Sequence, residues 1–293
     1  MDKKNIIKNV VEELKKIGEI KAVVLAGSHA TGIARPDSDI DFGIYYDKKH
    51  PLDIAKIAET AKNLGAFPNA IIVGLGEWGK WMDGGAWLII DKQSVDFIYR
   101  NIEFVEKTIE DSFAGRIETD YYQQPAFGFY SYMYCSETKY NSILHDPTGI
   151  VKKLKKKVNL YPQKLKNKII NVFLWDAQFS FSRAEKSAKR LEVYIVAGCL
   201  TRIVADLMQV LYAINETYYL SEKKLYRDLL DFKIFPPTPF LDIQKSLSHI
   251  GADQSTLAKT LDQFITLIQS FLELTKEIYQ PKFKKNLDTV KVR

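Results

Sequence analysis

A glycine–serine pair and two closely spaced aspartates are the residues whose types and spacing point most directly to chemistry. Gly27 and Ser28 follow the apolar run Ala22 to Ala26, and ten residues later Asp39-Ile40-Asp41 opens a second apolar, alternating run. Glycine permits turn geometry and lets the main chain approach a phosphate closely. The N–H groups around it, with the Ser28 hydroxyl, can then hold phosphate oxygens, more so where a short helix starts. Side chains two apart on a strand leave the same face, so the carboxylates of Asp39 and Asp41 can share divalent ions. Two such ions, about 3.5–4 Å apart, stabilise both the attacking and the leaving oxygen of an in-line displacement. Magnesium suits this role because it keeps waters and substrate phosphates as ligands. Without a cation the two acids would repel, which favours a metal site over chance acids on a surface strand.

The elements that must position these groups follow from periodicity. Ile6, Ile7, Val10, Val11, Leu14 and Ile17 have helical spacing, so residues 3–17 are predicted as a helix stopped at Gly18. Residues 22–26 and 39–46 read as strands. Pro51 is expected at the first position of a helix running to about Leu64. Residues 70–73, 86–90 and 94–99 are strand-like, with Gly84-Gly85 as a turn, and 101–113 look helical. The aromatic-crowded stretch Tyr121 to Tyr140 reads as nothing regular. Beyond Pro147 the pattern is helical over 148–158, 163–188, 191–217, 221–231 and 254–278, with Pro236, Pro237 and Pro239 in one loop. The predicted architecture is an α/β mixed-sheet catalytic domain over 1–115, an aromatic-rich connector over 116–146, and an all-α helical bundle over 147–293 that binds the acceptor.

Gly27-Ser28, ten intervening residues and Asp39-Ile40-Asp41 resemble the signature of the polymerase-β-like nucleotidyltransferase superfamily. The helical half resembles, in layout, the aminoglycoside and lincosamide adenylyltransferases. The resemblance implies transfer of a nucleoside monophosphate, AMP from ATP, to a hydroxyl, with Mg2+ as cofactor and pyrophosphate released. It also implies a third metal-binding carboxylate on a later strand. Asp96, inside Gln93-Ser94-Val95-Asp96-Phe97-Ile98-Tyr99, matches best, because the competitors Asp83 and Asp91 sit at turns. The catalytic and metal-ligating set is then Asp39, Asp41 and Asp96, with Asp96 also placed to help deprotonate the acceptor hydroxyl. Gly27, Ser28, Arg35 and His29 are the expected nucleotide-binding residues. Arg100 is a second candidate clamp on the triphosphate, although a surface arginine is the simpler expectation for it and for Arg35. Glu192 and Asp206 are acids in an otherwise apolar helix; they are expected on its polar face, with acceptor binding as the alternative. The tyrosines at 121, 122, 130, 132 and 134 are expected mainly as core.

Composition sets the surroundings. The chain has 293 residues, 46% hydrophobic and 27% charged, typical of a folded protein with a sizeable core. The net charge of +6 is concentrated in Lys152–Lys168, with eight lysines and no acid, and in Lys282–Arg293. Local basicity argues against a chain coated to bind nucleic acid. The expected partner is a small hydroxylated acceptor, such as an aminoglycoside or lincosamide antibiotic. RNA or protein acceptors, and a non-catalytic, antitoxin-like nucleotide-binding module, are the alternatives. Two cysteines without metal spacing, no signal-like start and no long apolar run lead to an expectation of a cytoplasmic protein away from membranes, as monomer or homodimer.

Overall fold

Apolar residues at helical spacing form α1 (Lys3–Leu14), which buries Ile6, Val10, Val11 and Leu14. The Asp2 carboxylate caps it by accepting from the Asn5 N–H at 2.7 Å, an interaction that contributes about 1 kcal/mol. The structure, a computed structural model, describes residues 2–124, 127–236 and 243–281. They fall into two compact units: residues up to Ser112 together with Ile117–Leu160, and Phe113–Arg116 together with Tyr161 onward.

The first unit continues through β1 (Ile20–Leu25), α2 (Gly27–Thr31), β2 (Ile40–Tyr46), α3 (Ile54–Asn63), β3 (Ile71–Ile72), β4 (Gly85–Ile90), β5 (Gln93–Asn101) and α4 (Ile102–Phe113). It then runs through β6 (Thr119–Asp120), β7 (Phe129–Tyr130), α5 (Met133–Tyr140), β8 (Ser142–His145) and α6 (Ile150–Lys157). Six strands form one mixed sheet in the order β3-β4-β5-β2-β1-β8. The central pair β2 and β5 is parallel, and the other pairs are antiparallel. Ile40, Phe42 and Ile44 stand opposite Val95, Phe97 and Tyr99 and are buried with them in the core that α1 and α3 help close. Phe42 and Phe97 meet edge to face at 5.9 Å. Strand alternation sends the intervening residues, Asp41 and Asp96 among them, to the other face of the sheet.

Three local expectations differ from what forms. Helix α3 begins at Ile54, not after Pro51, because the Asp53 carboxylate caps it by accepting from the Ala55 N–H at 2.9 Å, while Leu52 is buried ahead of it. The aromatic stretch contains α5, and it lies within the first unit. His145, expected in a turn, lies in β8 opposite Val23 of β1. A strand whose partner is more than a hundred residues away leaves no mark in its own neighbourhood.

The second unit is helical: α7 (Gln163–Ala188), α8 (Val193–Ile214), a 3-10 turn at Glu222–Lys224, α9 (Leu225–Asp231), α10 (Ile243–Ser248) and α11 (Gln254–Leu274). The chain is thus a mixed-sheet α/β region followed by a helical one. Helices α7 and α8 pack on each other, and α11 packs on both. Asp253 and Thr256 form a capping box at the start of α11. By length and composition, α8 is apolar enough to cross a membrane; its second half, Asp206 to Ile214, is buried within the protein, and its first half is mostly part-exposed. The basic tail, Lys282–Arg293, and Pro237 and Pro239 lie outside the described residues.

Candidate active site

β1 delivers the chain into α2 through Gly27, whose φ is +58°. The Ala26 N–H donates to the Asp41 carbonyl at 2.8 Å, locking the start of the turn to β2. A Cβ at Gly27 would stand 1.9 Å from Asp41 Oδ2. Only glycine lets the Asp41 carboxylate lie against this turn. Thr31 Oγ1 donates to the carbonyls of Gly27 and Ser28 at 3.1 and 3.2 Å, and Gly32, with φ of +69°, ends the helix.

The parallel register sets Asp41 directly opposite Asp96. Asp39 is exposed in the loop one residue ahead of β2. Burial, and then the negative charge of Asp39, push the Asp96 carboxyl up to about 6. That second cause shows the Asp39 and Asp96 carboxylates near enough to repel. Among the described residues, no three His, Cys, Asp or Glu side chains stand together as a formed metal centre. The donors near Gly27 are nonetheless carboxylate oxygens at a water-accessible strand end, the kind of set that fits a hard cation such as Mg2+. Their mutual repulsion is what such a cation would relieve.

Residues 7–114 match the family described as nucleotidyltransferase domain. The match supports the superfamily resemblance carried by Gly27-Ser28 and Asp39-Ile40-Asp41, and with it a transferase of the nucleotidyl class. Residues 133–224 match a second family, described as domain of unknown function (DUF4037). Among solved structures, a nucleotidyltransferase-like protein from Exiguobacterium sibiricum 255-15 is similar with a TM-score of 0.47 at 9% identity, over 94% of this chain and 79% of that chain. The curated proteins contain no match.

Other predicted residues of the nucleotidyltransferase domain are placed unevenly. Ser28 is half-buried on α2, and Arg35 is exposed on the loop between α2 and β2. His29 turns inward: its ring hydrogen-bonds to the Ser38 main chain, and burial, then the charge of Lys3, lower its pKa. The imidazole is therefore neutral at pH 7, with Nε2 buried and unpartnered. Arg100 is no triphosphate clamp. It is 4% exposed and donates to Glu137 Oε2 at 3.2 and 2.8 Å, with the Tyr134 ring 5.2 Å away. Asp83 is held by the Tyr46 hydroxyl and the Gly76 N–H, and Asp91 sits in the β4–β5 turn with φ of +48°. Tyr130, Tyr132 and Tyr134 are buried, whereas Tyr121 and Tyr122 are exposed.

In the helical unit, Glu192 pairs with Arg190 at 2.7 Å on the surface. Asp206, expected on a polar face, is fully buried. Arg202 Nε lies 3.2 Å from Asp206 Oδ1, but Arg202 donates its hydrogen bonds to Asp176 Oδ2 at 3.1 and 2.8 Å. Burial above all pushes the Asp206 carboxyl up to about 8, opposed by Arg202 and reinforced by Asp176. Such a shift favours the protonated form of Asp206 at pH 7. Lys3 and Gln93, which no local pattern singles out, both reach the Ser38 carbonyl beside Asp39.

Proposed function

We propose that the protein transfers AMP from ATP to a hydroxyl of a small molecule and releases pyrophosphate. The observation that carries this reading is the pairing of Asp41 with Asp96 across β2 and β5, beside a glycine turn that admits the Asp41 carboxylate. The main chain at Gly27 and the Ser28 hydroxyl hold phosphate oxygens. Asp39, Asp41 and Asp96 would hold Mg2+, which when bound neutralises charge on the attacking and leaving oxygens. The acceptor oxygen forms a bond to the α-phosphorus in line with the bond to pyrophosphate. That bond breaks with its electron pair on the departing oxygen. Asp96 helps take the hydroxyl proton, and Arg35 offers a fork of donors to the departing pyrophosphate.

A small acceptor is read in preference to RNA in part because three cations of the lysine run are engaged within the protein, while Lys152, Lys153, Lys156, Lys164 and Lys168 are exposed. Lys155 Nζ donates to the carbonyls of Lys139 and Asn141 at 2.8 and 2.5 Å, Lys157 pairs with Glu110, and Lys166 pairs with Glu216. These cations serve the fold. The test is incubation with ATP, Mg2+ and panels of aminoglycosides and lincosamides, with pyrophosphate as readout and the Asp39→Ala, Asp41→Ala double variant as control. Turnover lost in the control supports the reading. Protein that binds Mg2+ and ATP yet turns over no nucleotide with any acceptor favours the non-catalytic binding module instead.

A further inference from the structure

Every polar group of Ser38 is committed. Its N–H donates to the Arg35 carbonyl at 3.1 Å, and its Oγ accepts from the Arg35 N–H at 2.8 Å. Its carbonyl accepts from Lys3 Nζ at 3.1 Å and from Gln93 Nε2 at 3.0 Å. The His29 ring also bonds to the Ser38 main chain. Lys3 further donates to the Pro36 carbonyl at 2.9 Å. The donors come from three elements: α1, α2 and the first residue of β5.

Such attention to one loop residue has a geometric consequence. The peptide unit is planar, so fixing the Ser38 carbonyl fixes the plane that enters Asp39. Asp39 precedes β2 and lacks the ladder bonds that hold Asp41. Extending the register Ile40↔Val95 back two steps brings Ser38 level with Gln93, so the Gln93 side chain continues the ladder where the strand has stopped. Lys3 draws the same peptide toward α1.

We propose that Lys3 and Gln93 are positioning residues for the metal-binding carboxylates: through the Ser38 carbonyl they fix the peptide that carries Asp39 just ahead of the Asp41–Asp96 pair. Neither touches the reacting atoms. The inference rests on the reading of Asp39, Asp41 and Asp96 as ligands, and its test separates the two.

Mn2+ binding in the presence of a non-hydrolysable ATP analogue is followed by the electron paramagnetic resonance of free Mn2+, alongside thermal unfolding. Wild type is compared with the Asp39→Ala, Asp41→Ala double variant, and with Lys3→Met, Lys3→Arg and Gln93→Leu. Loss of an outer-shell partner weakens metal affinity about 10–100-fold. That loss is expected for Lys3→Met and Gln93→Leu, with Tm unchanged and affinity restored in Lys3→Arg. Wild type binding no better than the double variant overturns the ligand assignment itself. Wild type binding well, with Lys3→Met and Gln93→Leu equal to it, overturns the positioning role alone. An affinity loss that tracks a fall in Tm and is not rescued by Lys3→Arg overturns it too. Gln93→Leu keeps the test decisive if Lys3→Met does not fold.

Discussion

A methyl group added at Gly27 would meet Asp41 Oδ2 at 1.9 Å and Cγ at 2.7 Å, on a backbone with φ of +58°. The Asp41 side chain must swing away, and the turn must strain. Gly27→Ala is therefore expected to lower kcat/KM for pyrophosphate release by at least about 100-fold, of the order expected when a catalytic group is misplaced by roughly 1 Å. The accompanying loss of stability from the left-handed backbone should be about 1–2 kcal/mol, read by urea denaturation. Full activity in a folded Gly27→Ala protein would mean the Asp41 carboxylate does not work from this position. The sequence led to an expectation that the glycine before Ser28 serves a phosphate. It did not show that the closest neighbour of that glycine is the Asp41 carboxylate, because the contact joins two strands.

Between elements, the buried Arg100–Glu137 pair ties the end of β5 to α5, with the Tyr134 ring beside it. Removing one partner strands a buried charge, so Glu137→Ala should cost about 3–5 kcal/mol, measured by urea unfolding. Replacing both, as Arg100→Met with Glu137→Leu, should recover most of that loss; equal destabilisation in single and double variants would refute the pairing account. Lys155 does similar work in a polar setting, where its ammonium collects the carbonyls of Thr138, Lys139 and Asn141 near the end of α5. Lys155→Met should destabilise by about 1–3 kcal/mol, the cost of leaving such acceptors unmet, whereas Lys153→Met should be near neutral, since Lys153 is exposed. Element types were largely legible, because α1, β2, β5, α7 and α11 carry clean periodicity. The α3 start, α5 and β8 were not: a cap, an aromatic cluster and a distant strand decided them.

At the scale of the whole chain, burial turns acids into pH-dependent stability. The folded state holds the Asp206 carboxyl at about 8, against an ordinary value of 3.8, and Asp176 is shifted upward as well by burial. Between those limits the folded protein binds more protons than the unfolded chain, so stability falls as pH rises. The contribution is complete below about pH 4 and is lost as pH approaches about 8. Hydrogen exchange of α7 and α8 peptides, corrected for intrinsic rates, should show weaker protection at pH 8.5 than at pH 6. Asp206→Asn should flatten that dependence; a dependence equally steep in the variant would place its origin elsewhere. The same burial removed Asp206 from the polar face assigned to it, because a helical repeat says which residues share a stripe but not what covers that stripe.

By itself the sequence determined which chemistry-bearing residues the site can draw on and the order in which they follow along the chain. A glycine–serine turn, an Asp-x-Asp strand and a later strand acid were readable because each is a local pattern. The tertiary structure decided which strands became neighbours. Parallel pairing of β2 with β5 brought Asp96 beside Asp41, and the N-terminal helix lent Lys3 to the peptide before Asp39. Local periodicity records how a segment divides its faces between protein and solvent, whereas the choice of partner depends on packing across the whole chain.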